Sequence, residues 1–224
     1  MTKAVIWGSS GHALVVAHIM RLEGRFEIAG MIDDFNPGLH GSEVHGLKVL
    51  GGRERLGALQ QSGVTHLVFG FGDCGARLNL TPLVEQAGFQ FASAIHPAAM
   101  IADKREIGAG TVVVAGAVIN PGAKIGRNCI INTGASVDHE CVIGDGAHIG
   151  PGARLGGRVA VAEGAWVAMG AIVLDRVRIG AGAIVGAGAV ITKDVPAGVV
   201  VYGNPGRIIR TVAEQLSRPS KSSG

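Results

Sequence analysis

Along the second half of the chain an aliphatic residue recurs at every sixth position. Ile, Val or Leu stands at 101, 107, 113, 119, 125, 131, 137, 143, 149, 155, 161, 167, 173, 179, 185 and 191, with no place in the register missed. Four residues after the aliphatic, from Thr111 to Val195, the side chain is always Thr, Ala, Cys or Val, and Gly frequently follows the aliphatic itself. Two registers repeating together predict a parallel β-solenoid. Each hexad forms one flat face, the aliphatic fills the interior, and the small residue lets the chain turn a tight corner. Three hexads close one triangular coil, so sixteen give slightly more than five coils, stacked at roughly 4.8 Å.

Before the repeat the period is different. From residue 1 to about 97, short apolar runs alternate with amphipathic stretches, the signature of βαβ units on a small parallel sheet. The predicted strands are Ala4–Trp7, Ile28–Ile32, His66–Phe69 and Phe89–Ile95. The predicted helices are His12–Leu22, Arg53–Gln61 and Arg77–Gln86, each starting after Gly, Ser or Asp. After the repeat, Pro196, Asn204 and Pro205 mark turns, Ile208–Leu216 reads as a short helix, and the closing SRPSKSSG reads as disordered.

Composition supports this division. Among 224 residues, 37 are Gly and only 4% are aromatic, yet 47% are hydrophobic, so the core is built from small and β-branched side chains. The net charge is +3, with no Lys/Arg run interleaved with aromatics, which argues against a nucleic-acid partner. No signal-peptide pattern and no membrane-spanning apolar stretch is apparent, which makes the cytoplasm the expected compartment. Cys74, Cys129 and Cys141 form no CxxC or ligand-spaced pair, arguing against a disulfide framework and a zinc site.

A solenoid is only a scaffold, so chemistry has to be sought in sites. The segment Asn132–Gly152 carries the repeat's only two histidines, His139 at the third place of its hexad, near a corner, and His148 at the sixth. Both lie outside the inward registers and should point outward. Nine residues is half a coil, so within one subunit the two lie on roughly opposite sides of the prism. Prisms associating about a threefold axis would bring His139 of one subunit to face His148 of its neighbour. Cys129 and Cys141 fall on the small inward register, where a thiol is buried and inert, which argues against a covalent acyl-thiol mechanism. In the first half, GSSGH (Gly8–His12) follows the first strand as a phosphate-binding turn does, without the full GxGxxG fingerprint, and Asp33-Asp34 follows the second. The plain reading of the first is an ordinary tight βα turn.

The hexads, the Asp138-His139-Glu140 stretch with His148, and the closing GAGAVITKDVPAGVVVYGNPGRIIR resemble the bacterial hexapeptide-repeat sugar acyltransferases. These include sialic acid O-acetyltransferases and nucleotide-amino-sugar N-acetyltransferases, and the nearest likeness is to the bacillosamine and perosamine N-acetyltransferases. The resemblance implies an α/β N-terminal Rossmann-like domain over 1–97 that binds a nucleotide sugar. It implies a left-handed parallel β-helix acyltransferase domain with a cap over 98–217, and a tail over 218–224. It implies acetyl-CoA as co-substrate, no metal, and a homotrimer with intersubunit active sites. By the same resemblance His139 is the general base for the acceptor amine and Glu140 the carboxylate that raises its basicity. His148 and the backbone around Met169 and Ala187 would hold acetyl-CoA, and Ser10, Gly11, His12, Asp33, Asp34 and Gly72 would contact the nucleotide sugar. Lys193, Asn204, Pro205 and Arg207 either flank coenzyme A or simply cap the last coil. Two rival readings keep the scaffold: an O-acetyltransferase acting on a sugar hydroxyl, and a metal-dependent carbonic anhydrase, which needs a third outward histidine that the repeat lacks. A third is a non-catalytic solenoid.

Overall fold

The computed structural model describes residues 1–216; the expected tail over 218–224 lies outside the described residues. The first half opens with β1 (Thr2–Trp7), α1 (Gly11–Glu23) and β2 (Phe26–Ile32). A hairpin of β3 (Glu43–Val44) and β4 (Leu47–Lys48) follows, then α2 (Leu56–Gln61), β5 (Val64–Phe69), α3 (Cys74–Gln86), β6 (Gln90–Phe91) and β7 (Ala94–Ile95). The main sheet has the order β2-β1-β5-β6, all parallel. Alternation along β1 decides its two layers: Ala4 and Ile6 pack against α1, whereas Val5 and Trp7 pack against α2 and α3. Helix α1 buries Ala13, Val16, Ala17, Ile19 and Met20 on one stripe and stops at Gly24, whose φ of 63° lets its N–H return to the Met20 carbonyl.

The hexads form the predicted solenoid. Its strands are two residues long, the outward residue followed by the inward aliphatic, and each pairs in parallel with the strand eighteen residues on, as in Val118↔Ser136↔Arg154↔Ile172↔Val190. Three sheets result, of six, four and eight strands. The interior is one continuous cluster running from Val113 to Val201, with the aliphatic and small registers both inside. At the corners the chain passes through left-handed backbone. Glycine takes that place at 116, 134, 152, 170 and 188 along one corner, where a Cβ-bearing residue would be strained.

Helix α1 lies between the main sheet and the solenoid, where Val112, Val114 and Ile130 join its core. These outward positions are apolar because another layer covers them. On the other side of the sheet, Arg77 of α3, 1% exposed, reaches into the solenoid. It donates from Nε to the Asn128 carbonyl (3.0 Å), from Nη1 to Phe71 (3.2 Å) and from Nη2 to Gly146 (2.8 Å). Three carbonyls in place of a carboxylate satisfy the buried guanidinium, and removing it would leave them unpaired.

Three sequence expectations are corrected. Phe89–Ile95 is not one strand: β6 completes the main sheet, while β7 pairs with Val112–Val113 of the solenoid. The chain changes sheets at Ala92–Ser93. Arg53–Gln61 begins as a 3-10 turn over Arg53–Arg55 and becomes α-helical only from Leu56. Of Ile208–Leu216, only Val212–Leu216 is helical (α4), because Arg207–Thr211 is drawn into an antiparallel ladder with Val199–Tyr202 that covers the last coil. The adjacent Ile208 and Ile209 satisfied a helical pattern locally, and tertiary pairing overrode it.

The register is open to a direct check. Ile143 is inward and 2% exposed while Val142 beside it is 52% exposed. Ile143→Ala should cost about 2–5 kcal/mol in denaturant unfolding, and Val142→Ser less than about 0.5 kcal/mol. Equal effects would place the register wrongly.

Candidate active site

His139 sits at the corner between the six- and four-stranded sheets, after Ser136–Val137 and before Val142–Ile143. Its Nδ1 lies 3.1 Å from Oε2 of Glu140. A carboxylate only accepts, so Nδ1 carries the hydrogen, and in the neutral ring Nε2 is the acceptor. The Glu140 carboxylate is held below its usual range, first by the hydrogen bond from Arg158 (Nε to Oε2, 2.9 Å) and then by that from His139. On the preceding residue, Asp138 Oδ1 accepts from the His139 N–H (2.7 Å) and from Asn120 Nδ2 (2.8 Å), fixing the backbone that carries the imidazole. The ring lies over the next coil at Gly157, where a Cβ would come within 2.5 Å of Nε2.

His148 occupies a different side of the molecule, on the eight-stranded sheet between Ile130 and Trp166. Its ring stacks on Trp166 with centroids 6.0 Å apart, and Gly72, at the carboxyl edge of the main sheet, lies against it. Nε2 accepts from Asn132 Nδ2 at 3.1 Å, and the Gly72 backbone takes the other nitrogen's hydrogen. Burial, then the positive charge of Arg77 and the neighbouring His12, lower its pKa to about 3. His12, at the start of α1, is lowered to about 4 by burial and Arg77, and its Nε2 has no partner. Both imidazoles are therefore neutral at ordinary pH, and the N–H of His148 is already engaged.

Around the GSSGH turn, Asp33 is 2% exposed and fully committed. Its Oδ2 accepts from Ser9 N (2.9 Å), Ser9 Oγ (2.5 Å) and Asn36 Nδ2 (3.2 Å), and its Oδ1 from the N–H groups of Phe35 (2.7 Å) and Asn36 (3.0 Å). Burial alone would raise its pKa, but these donors outweigh it and hold the carboxyl below its usual range. Asp34 accepts from Arg53 N and Nε, each at 2.7 Å. Ser10 stands at the N-cap of α1 without a side-chain capping bond, and both it and Gly11 are exposed. The two aspartates thus shape the loop, while Ser10, Gly11 and the helix N-terminus remain open.

Met169 and Ala187 stack one coil apart on a second corner, both exposed. The Met169 carbonyl accepts from Gly188 N at 2.9 Å, and neither residue's own N–H is bonded within the described residues. Cys129 and Cys141 are buried on the inward register, and burial pushes the Cys129 thiol up to about 12. Among the described residues no group of three His, Cys, Asp or Glu side chains is arranged to hold a metal, and no helix is long and apolar enough to cross a membrane.

The structure thus joins His139 to Glu140, and His12, Gly72 and His148 to one another, while keeping the two histidine sites apart. Sequence reading missed Ser9, Asn36, Arg77, Asn132, Gly157 and Arg158. Arg158 and Gly157 were accessible by counting eighteen residues on from Glu140 and His139, whereas the others depend on how the two halves meet.

Comparison with known proteins bears on this arrangement. Residues 3–82 match the PglD N-terminal domain, and residues 122–157 and 159–193 match the bacterial transferase hexapeptide (six repeats). None of the curated proteins matches. The solved structure of PerB from Caulobacter crescentus, in complex with CoA and GDP-perosamine, is 38% identical, with a TM-score of 0.87 over 93% of this chain and 98% of that one. This chain belongs to the bacterial hexapeptide-repeat sugar acyltransferases. The acetyltransferase domain of PglB from Neisseria gonorrhoeae, in complex with acetyl coenzyme A, is 33% identical, with a TM-score of 0.84 over 92% and 98% of the two chains. WeeI from Acinetobacter baumannii is 31% identical, with a TM-score of 0.83 over 93% and 100%. The chain is an acyltransferase that uses acetyl-CoA as co-substrate.

Two measurements test the site. Gly157→Ala should leave the fold intact but displace the His139 ring, lowering kcat about ten- to a hundredfold. Unaltered kcat would separate the ring's position from the chemistry. Second, the unfolded chain's imidazoles bind protons from about pH 6.5 downward, whereas folded His12 and His148 refuse them until about 4 and 3. The unfolded state then holds more protons, so stability falls as pH falls through that window. The thermal midpoint should drop between pH 7 and 4, and His148→Gln should flatten the slope.

Proposed function

We propose that this enzyme transfers an acetyl group from acetyl-CoA to the amine of a nucleotide-linked 4-amino-4,6-dideoxy sugar. The observation that carries the reading is the His139–Glu140 pair: an imidazole whose Nδ1–H is held by a carboxylate, leaving Nε2, over Gly157, as the nitrogen that can accept a proton. An ammonium group cannot attack a thioester. Nε2 of His139 takes a proton from the acceptor nitrogen as that nitrogen bonds to the acyl carbon, and Glu140 stabilises the imidazolium formed. Collapse of the tetrahedral species expels the thiolate of coenzyme A, which recovers the proton. The buried, high-pKa Cys129 and Cys141 offer no competing thiolate nucleophile, which favours direct attack.

The free N–H groups of Met169 and Ala187 suit the oxyanion and the amide-bearing arm of acetyl-CoA. His148, with its N–H committed to Gly72, contributes a neutral, ordered wall to the same cleft rather than a donor. Ser10 and Gly11, with the N-terminus of α1, suit the diphosphate of the nucleotide, and His12 and Gly72 suit the sugar. Asp33 and Asp34 act by holding that loop. The division into a nucleotide-sugar domain (1–97) and an acyltransferase β-helix with its cap (98–217) follows from these roles. Because the His139 corner and the His148 face are on opposite sides of one prism, a homotrimer with intersubunit sites, acting in the cytoplasm, is the arrangement that unites them.

Thiol release from acetyl-CoA, measured against UDP-, GDP- and dTDP-linked 4-amino-4,6-dideoxy sugars and against sialic acid, tests the proposal. Turnover is expected with an amino sugar alone, falling at least about a hundredfold in His139→Ala. Turnover only with a hydroxyl acceptor would move the protein to O-acetylation, and full activity in His139→Ala would remove the general base.

A further inference from the structure

The corner that carries His139 is built differently from the others. Its left-handed positions recur every eighteen residues, and after Gly122 they are occupied by Glu140, Arg158 and Arg176 at φ of 57°, 61° and 62°. Along the corner of Met169 every such position is glycine, and along the third only Asn128 departs from it. Long charged residues are disfavoured in this backbone region, so the column places them there against local preference, a pattern that concentrates at functional sites.

The side chains in the column meet. Oε2 of Glu140 accepts from Arg158 Nε at 2.9 Å and from His139 Nδ1 at 3.1 Å, and Arg158 Nη2 stands at ion-pair distance from it, 2.9 Å. All three side chains are about half exposed. An exposed glutamate next in sequence to its histidine has no packing to hold it, so its carboxylate direction depends on the arginine one coil above. The other charged groups at this corner are Asp138, Asp175 and Arg176: Asp138 Oδ1 is taken by Asn120 and the His139 N–H, Asp175 Oδ1 by the Gly157 N–H at 3.1 Å, and Arg176, one coil beyond Arg158, is exposed and forms no ion pair with Glu140.

We propose that Arg158 is a positioning residue for the acyl transfer: it clamps the Glu140 carboxylate against Nδ1 of His139 and so fixes the tautomer that leaves Nε2 free to accept a proton. The proposal rests on the reading of His139 as the base. Arg158 also has an opposing effect, because its charge competes with the imidazolium for the same carboxylate oxygen. Loss of Arg158 therefore weakens orientation while giving the protonated ring a larger share of Glu140.

Arg158→Gly suits the test because glycine is the residue this backbone favours, so the corner keeps its shape. In that variant kcat/KM should fall about three- to tenfold at its plateau. The acid limb of the pH profile should move to higher pH, and the thermal midpoint should be unchanged or raised. Arg158→Lys keeps the cation without the two-nitrogen contact, so the limb should stay in place and part of the plateau loss remain. Long-range proton–nitrogen NMR correlations of the His139 ring, made on the intact enzyme, read the tautomer without turnover. Nδ1–H should dominate in the natural protein and give way to a mixture in Arg158→Gly. A tautomer and a pH profile identical to those of the natural enzyme would overturn the role of Arg158. If His139→Ala remains active, the base reading falls instead, and the tautomer comparison still decides whether Arg158 positions the ring.

Discussion

Backbone pairing between successive coils sets nearly everything else in this molecule. A strand only two residues long has no stability of its own, and it persists because the strands eighteen residues before and after it satisfy its polar groups while the aliphatic beneath fills the prism. The same ladder turns sequence distance into spatial distance. Residues eighteen apart become neighbours in a column, and residues nine apart are sent to opposite sides. His139, Gly157 and Asp175 share one column, Glu140, Arg158 and Arg176 the adjacent one, and Met169 and Ala187 a third. The chemistry is therefore distributed by register, and a one-residue slip in any coil would dismantle it.

The first half depends on the solenoid as much as it decorates it. Helix α1 shares its apolar stripe between the main sheet and the outward Val112 and Ile130, and Arg77 ties α3 to corner carbonyls that glycine and asparagine leave accessible. Burying a guanidinium is costly unless its donors are used, and here the Asn128 and Gly146 carbonyls of the solenoid, the Phe71 carbonyl at the edge of the main sheet and the Cys74 sulfur take up four contacts that join the two halves. His12 and His148 are caught in that junction beside the same positive charge. Their neutrality follows from it, and it keeps a second cation away from a place where one is already buried.

Much of this was legible in the sequence. The six-residue period with its second, small register predicted the solenoid, and the helix-and-strand pattern that precedes it predicted the parallel sheet. What the period could not carry was the exception to it. The chain leaves one sheet for another at Ala92–Ser93 within a single apolar run, and Arg207–Thr211, with β-branched Ile208, Ile209 and Thr211, becomes a strand that covers the last coil. In the site, His139 and His148 stood out as the repeat's only histidines and Glu140 entered through the family resemblance, while Asp33, expected to contact substrate, accepts from Ser9, Phe35 and Asn36 within the loop. A buried carboxylate that serves the loop and one that serves a ligand have the same sequence signature. Only the count of donors around it tells them apart.

Corners, rather than faces, suit the chemistry of such a scaffold. On a face the backbone N–H groups are spent in the ladder, so a ligand there meets side chains alone. At a corner the turn leaves the N–H outside the ladder, and at Met169 and Ala187, in two successive coils about 4.8 Å apart, it is unbonded within the described residues. On the proposed reading, a long, amide-bearing co-substrate laid along this corner would meet the N–H groups of Met169 and Ala187 without any specialised side chain, while a neighbouring corner is free to vary toward acid–base groups. The His139 corner has done so at the expense of glycine in three successive coils. On the proposed reading the polar column at Glu140, Arg158 and Arg176 is the complement of the glycine column elsewhere: one would offer backbone to a ligand, and the other gives up conformational ease to place charged side chains beside an imidazole.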